Sequence, residues 1–137
     1  MRIYLGIKYV EDFSNRSLIE SILSLLESYG HETYCVVRDM EEWGMYQYPP
    51  EQLMKTTFQE IAKADILLIE FSEKGVGLGI EAGYAYANLK PIIVVAKEGA
   101  DISATIKGTS TQIITYKIIE DLEKQLIGKT LEESVAN

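Results

Sequence analysis

The chain of 137 residues contains one cysteine, Cys35, and one histidine, His31. A single cysteine excludes an intrachain disulfide and a multi-cysteine metal site. A single histidine makes a His-dependent catalytic triad or a zinc site improbable, and no metal is expected. Positive charge is also scarce, with 13 Lys and Arg against 21 Asp and Glu and a net charge of −8. No Lys/Arg cluster interrupts this field, so polyanions are repelled and nucleic-acid polymers are not expected as partners. A small anion remains compatible, because local backbone N–H groups can outweigh a distant net charge. No apolar run approaches the roughly 20 residues that cross a bilayer, and no membrane partner is expected. The opening MRIYLGIKY enters a strand-like run without the features of a secretory signal, and a cytoplasmic location follows as the expectation.

What is present is a regular alternation of β-branched apolar runs and segments of helical period, the pattern of βα units around a parallel sheet. Strands are expected at Arg2 to Gly6, Glu32 to Val37, Asp65 to Phe71, Pro91 to Ala96 and Gln112 to Tyr116. ILLIEF and IIVVA are almost continuously apolar, as strands covered on both faces should be, and are assigned to the centre. A first helix is expected from about Ser14 to Tyr29, ended by Gly30. A second opens at Pro50, a favoured first-turn residue. A third starts at Gly77 to Gly79, and a last one spans Ile119 to Ile127. The expected fold class is α/β, a flavodoxin-like, Rossmann-like three-layer sandwich with a five-stranded parallel sheet in order 2-1-3-4-5 and helices on both faces. Residues 1–128 are read as one domain and 129–137 as a C-terminal tail, frayed over LEESVAN. The connection Arg38 to Pro50 is the one long loop. Its Trp43, Tyr46 and Tyr48 suit stacking on a planar base and equally suit covering a core edge or a subunit contact.

The segment FSEKGVGLGIEAGYAYA joins a buried strand to a helix through Gly75, Gly77 and Gly79. Glycines allow a ligand close to the backbone, and a helix start offers unpaired N–H groups, so the turn is a candidate anion or sugar cradle. It lacks the Gly-Lys-Ser/Thr of a phosphate loop and follows the wrong strand for a dinucleotide fingerprint. YVEDFSN after the first strand is acidic and glycine-free, unlike a flavin phosphate loop. No cofactor is expected. Glu81 falls near the start of the helix, where the dipole favours the ionised carboxylate. Such a carboxylate is a competent nucleophile toward an anomeric carbon, whose transition state develops positive charge beside it. By itself the position reads first as an ordinary helix-start glutamate, which is common.

IYLGIKYV (Ile3 to Val10) together with VGLGIEAGYA (Val76 to Ala85) resembles the paired signatures of the nucleoside 2-deoxyribosyltransferases and the related deoxynucleoside-monophosphate N-glycosidases. The register agrees, with Ala64-Asp65 before the third strand, Lys90-Pro91 before the fourth, and ISATIKG at Ile102 to Gly108. The resemblance covers about Met1 to Tyr116. It implies that Glu81 is the nucleophile, that Tyr4 holds its carboxylate in line, and that Tyr9 lines the base pocket. It further implies that Ser103 reaches the 5′ end of the sugar in a neighbouring chain, and hence a homo-oligomer. The implied partner is a small-molecule nucleoside or nucleotide.

Two positions depart from the family pattern. Thr57 stands where relatives carry an aspartate contacting the base, and Gly75 stands where relatives carry an aspartate or serine at the 5′ end. A threonine hydroxyl cannot protonate a leaving base as a carboxylic acid can, so Asp39, Glu41 or Glu60 substitutes, or the leaving group needs little help. Asp65 is read as structural, Cys35 as a small buried hydrophobe and His31 as an exposed turn residue. The expected function is cleavage of an N-glycosidic bond through a glycosyl-Glu81 intermediate, with transfer of the sugar to another base or to water. The alternative is a binding module that uses the same pocket without turnover.

Overall fold

The computed structural model describes residues 1–127 and 129–136. Its elements run β1 (Arg2–Ile7), α1 (Arg16–Ser28), β2 (Glu32–Tyr34), a π-helical turn (Val36–Met40), α2 (Pro50–Lys63), β3 (Ile66–Glu70) and α3 (Val76–Ala87). They continue with β4 (Ile92–Lys97), α4 (Ala104–Thr109), β5 (Gln112–Tyr116), α5 (Ile119–Leu126) and α6 (Lys129–Ala136). The five strands form one sheet in the order β2-β1-β3-β4-β5, with every pairing parallel. Among the described residues, no helix is long and apolar enough to cross a membrane.

The period of two along each strand sorts side chains between two cores. Ile3, Leu5, Ile66, Leu68, Ile93 and Val95 join Ile19, Ile22 and Leu26 of α1 and Leu122 of α5 on one face. Tyr4, Leu67, Ile69, Ile92 and Val94 join Ile61 of α2, Leu78, Ala82 and Ala85 of α3, and Ile106 of α4 on the other. Tyr4 therefore faces α2 and α3.

Helix boundaries follow local chemistry. Gly30 adopts φ +86° and ends α1 in a Schellman motif, with the Gly30 N–H donating to Glu27 at 3.0 Å and the His31 N–H to Leu26 at 3.3 Å. Pro50 opens α2. Asp65 accepts the Arg2 N–H at 2.8 Å and donates its own N–H to the Arg2 carbonyl at 2.8 Å, which ties the starts of β1 and β3 and accords with a structural role.

Several expectations need correction. β2 ends at Tyr34 rather than Val37, because the Asp39 carboxylate accepts the Cys35 N–H at 2.9 Å and the Asp39 N–H returns to the Cys35 carbonyl at 2.8 Å. These local bonds wind 36–40 into a helical turn at the sheet edge, where only one side of the strand has a ladder partner. The ISATIKG segment carries a helix that the strand-and-helix reading omitted, α4. Lys129–Ala136 form α6 rather than a frayed end, with Leu131 packed into the α1/α5 core. His31 is half-buried rather than exposed, with Nδ1 3.2 Å from the Met1 amine.

Candidate active site

The site is built where β1 and β3, adjacent in the sheet, point their carboxyl ends toward α3. Tyr4 is buried on β1 and donates its hydroxyl to Oε1 of Glu81 at 3.2 Å. The other carboxylate oxygen of Glu81, Oε2, is buried and has no hydrogen-bond partner among the described residues. An unsatisfied buried oxygen is costly, and its retention calls for a functional reason. Gly6 explains how the carboxylate fits: a methyl group there would collide with Glu81 Oε2 and lie 3.4 Å from Leu78. The absence of a side chain at Gly6 thus creates the space that Glu81 fills.

The expected electrostatics of Glu81 are reversed. Glu81 is the sixth residue of α3, beyond the unpaired N–H groups of the first turn. Burial therefore dominates and raises its carboxyl to about 7, while the Tyr4 hydrogen bond pulls in the opposite direction. Burial, and then the facing Glu81 charge, also hold the Tyr4 phenol well above its ordinary range, so Tyr4 is a donor at any physiological pH.

The pair opens into a cavity of about 550 Å³, lined also by Lys8, Tyr9, Glu41 and Thr57. Val36, Val37, Leu53 and Met54 supply apolar wall, the lining expected of a small-molecule site. Tyr9 is 57% exposed at the mouth, its ring edge-on to Phe13. Thr57 is buried on α2. Gly75 and Gly77 line the cavity, whereas Gly79 and Ser103 line a neighbouring depression of about 400 Å³ with Lys74, Val76 and Thr105. The folded chain thus gathers Tyr4, Tyr9, Thr57, Gly75, Gly77 and Glu81 around one cavity and leaves Gly79 and Ser103 outside it.

The aromatic residues of the long connection do not line this cavity. Trp43 packs against the α1 core with the Arg16 guanidinium 4.3 Å from its ring centroid, and the Tyr48 hydroxyl donates to the Met40 carbonyl at 3.2 Å. The core-edge reading applies to both. Cys35 also lines the cavity, but burial pushes its thiol up to about 12, so it stays protonated.

Reasoning from sequence missed Gly6, Lys8 and the apolar wall. A glycine inside the strand YLGIKY was the available signal for Gly6, since a strand glycine marks close approach of another group. It also missed buried Glu70, which accepts the Ser72 N–H at 2.6 Å, the Ser72 hydroxyl at 2.7 Å and the Tyr116 hydroxyl. Ser72 in turn accepts the Lys97 N–H at 2.9 Å. This network fixes the ends of β3, β4 and β5 and the departure of the turn that leads to α3.

Solved structures with the same architecture include a 2-deoxyribosyltransferase from Bacillus psychrosaccharolyticus, with TM-score 0.72, 18% identity and coverage of 93% of each chain. The CMP N-glycosidase BcmB of Clostridium botulinum superposes with TM-score 0.71 at 23% identity, covering 92% of this chain and 97% of that one. The fold is that of the 2-deoxyribosyltransferases. In sequence, the chain is 25% identical over 136 residues to a Thermofilum pendens protein named for a 2′-deoxynucleoside 5′-phosphate N-hydrolase activity, covering 92% of both chains. No protein-family model matches the chain. The resemblance read from the two signature segments therefore extends along nearly the whole chain, and Tyr4 and Glu81, which carry it, meet within this fold.

Proposed function

We propose that the protein is an enzyme that cleaves the N-glycosidic bond of a deoxynucleoside or deoxynucleoside monophosphate, with Glu81 as nucleophile. The observation that carries this reading is the buried Glu81 carboxylate, held through one oxygen by Tyr4 while the other is unsatisfied beside an apolar-walled cavity. The names of the sequence relative and of the structural neighbours, an N-hydrolase, an N-glycosidase and a deoxyribosyltransferase, agree with it.

In the proposed reaction an oxygen of Glu81 attacks C1′ as the C1′–N bond breaks and its electron pair leaves with the base. Tyr4 orients the carboxylate and keeps the second oxygen free to attack. The glycosyl ester then passes the sugar to a second base or to water. Tyr9 and the apolar wall suit a planar base, and Gly75 and Gly77 allow the sugar close to the backbone. Lys8 offers a positive charge to a 5′-phosphate.

Assembly into a homo-oligomer is part of the proposal. Ser103 and Gly79 lie outside their own cavity. The apolar residues Val76, Ile80 and Tyr86 on α3 are exposed, at 83%, 47% and 61%, and offer apolar surface to a neighbouring chain. In this reading Ser103 contacts the 5′ end of a sugar bound to a neighbouring chain.

The test is release of free base from each deoxynucleoside and its 5′-monophosphate. Glu81→Gln should fold, bind and lose release by several orders of magnitude, while Tyr4→Phe should fall between it and the parent. A 2-fluoro nucleoside, which slows breakdown of the intermediate, should add the sugar's mass to the parent and nothing to Glu81→Gln. Parental turnover by Glu81→Gln would defeat the assignment. Thermal stabilisation by a nucleotide without any release would favour a binding module in the same pocket.

A further inference from the structure

Three acidic residues stand close enough in sequence or space to replace the missing aspartate at Thr57, and the fold separates them. The Asp39 carboxylate is bound by the Cys35 N–H at 2.9 Å and by the Arg38 guanidinium at 2.8 and 3.0 Å. Glu60 is held by Arg2 at 2.7 Å and by Lys63 at 3.3 Å. Neither lines the cavity. Glu41 does, and among the described residues Glu41 and Glu81 are the only acidic residues that do so. Among the described residues the Glu41 carboxyl has no hydrogen bond or ion pair, although its backbone is fixed by a bond from its own N–H to Val36 at 2.9 Å and one to its carbonyl from the Tyr46 N–H at 3.0 Å. It follows the π-helical turn directly, and Val36 and Val37 of that turn and the α2 residues Leu53, Met54 and Thr57 line the same cavity. A position anchored by its backbone, with an uncommitted acid on an apolar-walled cavity, leaves that acid free to meet a base held there.

We infer that Glu41 is the general acid that protonates the departing base, taking over a role that Thr57 cannot perform. This rests on the glycosidic reading of the cavity. In the first step the Glu81 oxygen bonds to C1′, the C1′–N pair goes to the base nitrogen, and that nitrogen takes the Glu41 proton, leaving Glu41 as the carboxylate. In the second step water bonds to C1′, the C1′–O bond to Glu81 breaks with its pair returning to Glu81, and Glu41 takes the water's proton. Both carboxyls end as they began, with one water consumed and the base and free sugar released. Burial raises the Glu41 carboxyl as it does Glu81. For Glu41 this shift favours the protonated form that a general acid needs.

The experiment compares Glu41→Gln, Glu41→Asp and Glu81→Gln with the parent on natural deoxynucleosides and their monophosphates. Each is also assayed on 7-methyl-2′-deoxyguanosine and 4-nitrophenyl 2-deoxyriboside, whose leaving groups need no proton. Circular dichroism and nucleotide-induced thermal shift establish folding and binding. Glu41→Gln should lose roughly 100- to 10,000-fold in kcat/KM on natural substrates and stay within about threefold of the parent in kcat/KM on the activated ones, where only the second step still waits on Glu41, whereas Glu81→Gln loses both. Equal losses for Glu41→Gln on both classes, or none on the natural class, would overturn the role of Glu41 while leaving Glu81 in place. If the parent cleaves neither activated compound, Glu41→Asp decides: activity above Glu41→Gln supports a proton donor, and activity equal to it refutes one. Absence of base release by the parent from every substrate would overturn the glycosidic reading and this inference together.

Discussion

At the scale of the residue, the decisive fact is that Glu81 is desolvated rather than dipole-stabilised. An unfolded glutamate titrates near pH 4.3, whereas folding raises the Glu81 carboxyl to about 7. Between those values the native chain holds a proton that the unfolded chain has released, so stability falls as pH rises through this window, and the full burial cost is present above it. The difference corresponds to about 4 kcal/mol at most. Glu81→Gln keeps an oxygen that can accept from Tyr4 and removes the charge. We therefore expect it to melt several degrees above the parent at pH 8 and close to it at pH 4.5, as measured by thermal denaturation across pH. A gain equal at both pH values would show that desolvation of the carboxylate is not the cause. The local pattern showed Glu81 only as a glutamate near a helix start, and the resemblance of VGLGIEAGYA alone implied its role as nucleophile. Its environment comes from Gly6, Tyr4 and Leu78, residues on other turns and another strand.

Among the elements, those with strong periodicity were legible and those set by contact were not. ILLIEF and IIVVA are apolar enough to allow only a buried strand, and both occupy the middle of the sheet. β2 was overextended because CVV has the same β-branched character, yet the Asp39 carboxylate captures the Cys35 N–H and turns the chain. α6 was missed because TLEESVA shows a weak pattern of its own, and its helicity depends on what Leu131 touches. Leu131 is 1% exposed within the α1/α5 core. Its replacement by alanine should cost about 2–5 kcal/mol in denaturant unfolding, as for other buried leucines. A change below about 0.5 kcal/mol, typical of exposed sites, would mean that this segment does not pack as described.

For the molecule as a whole, the proposed site and the proposed assembly are linked. If Ser103 serves a neighbour's sugar site, a chain with an altered Ser103 still carries an intact Glu81 and can complete its site with a normal neighbour. Mixing Glu81→Gln with Ser103→Trp, each inactive alone, should then restore up to about a quarter of parental activity in a dimer with two equivalent sites, since half the dimers are mixed and one site in each is whole. Activity that does not recover after subunit exchange, with mixed oligomers confirmed by native mass spectrometry, would remove Ser103 from the site. A monomer at micromolar concentration by analytical ultracentrifugation would do the same.

The sequence by itself determined the class of fold and singled out Tyr4 and Glu81, the pair on which the proposed reaction rests. Strand and helix periods are local properties, and a chain of alternating βα units closes into few sheet orders. Parity along β1 alone places Tyr4 and Gly6 on one face, and VGLGIEAGYA places Glu81 on the helix that follows β3. Only the tertiary structure decided that a strand glycine admits the carboxylate, that burial rather than a helix dipole governs its proton, and that Glu41, not Asp39 or Glu60, reaches the cavity. Each of these depends on which groups become neighbours and how much water they lose. Both properties arise from packing between segments distant in the chain, where sequence periodicity carries no information.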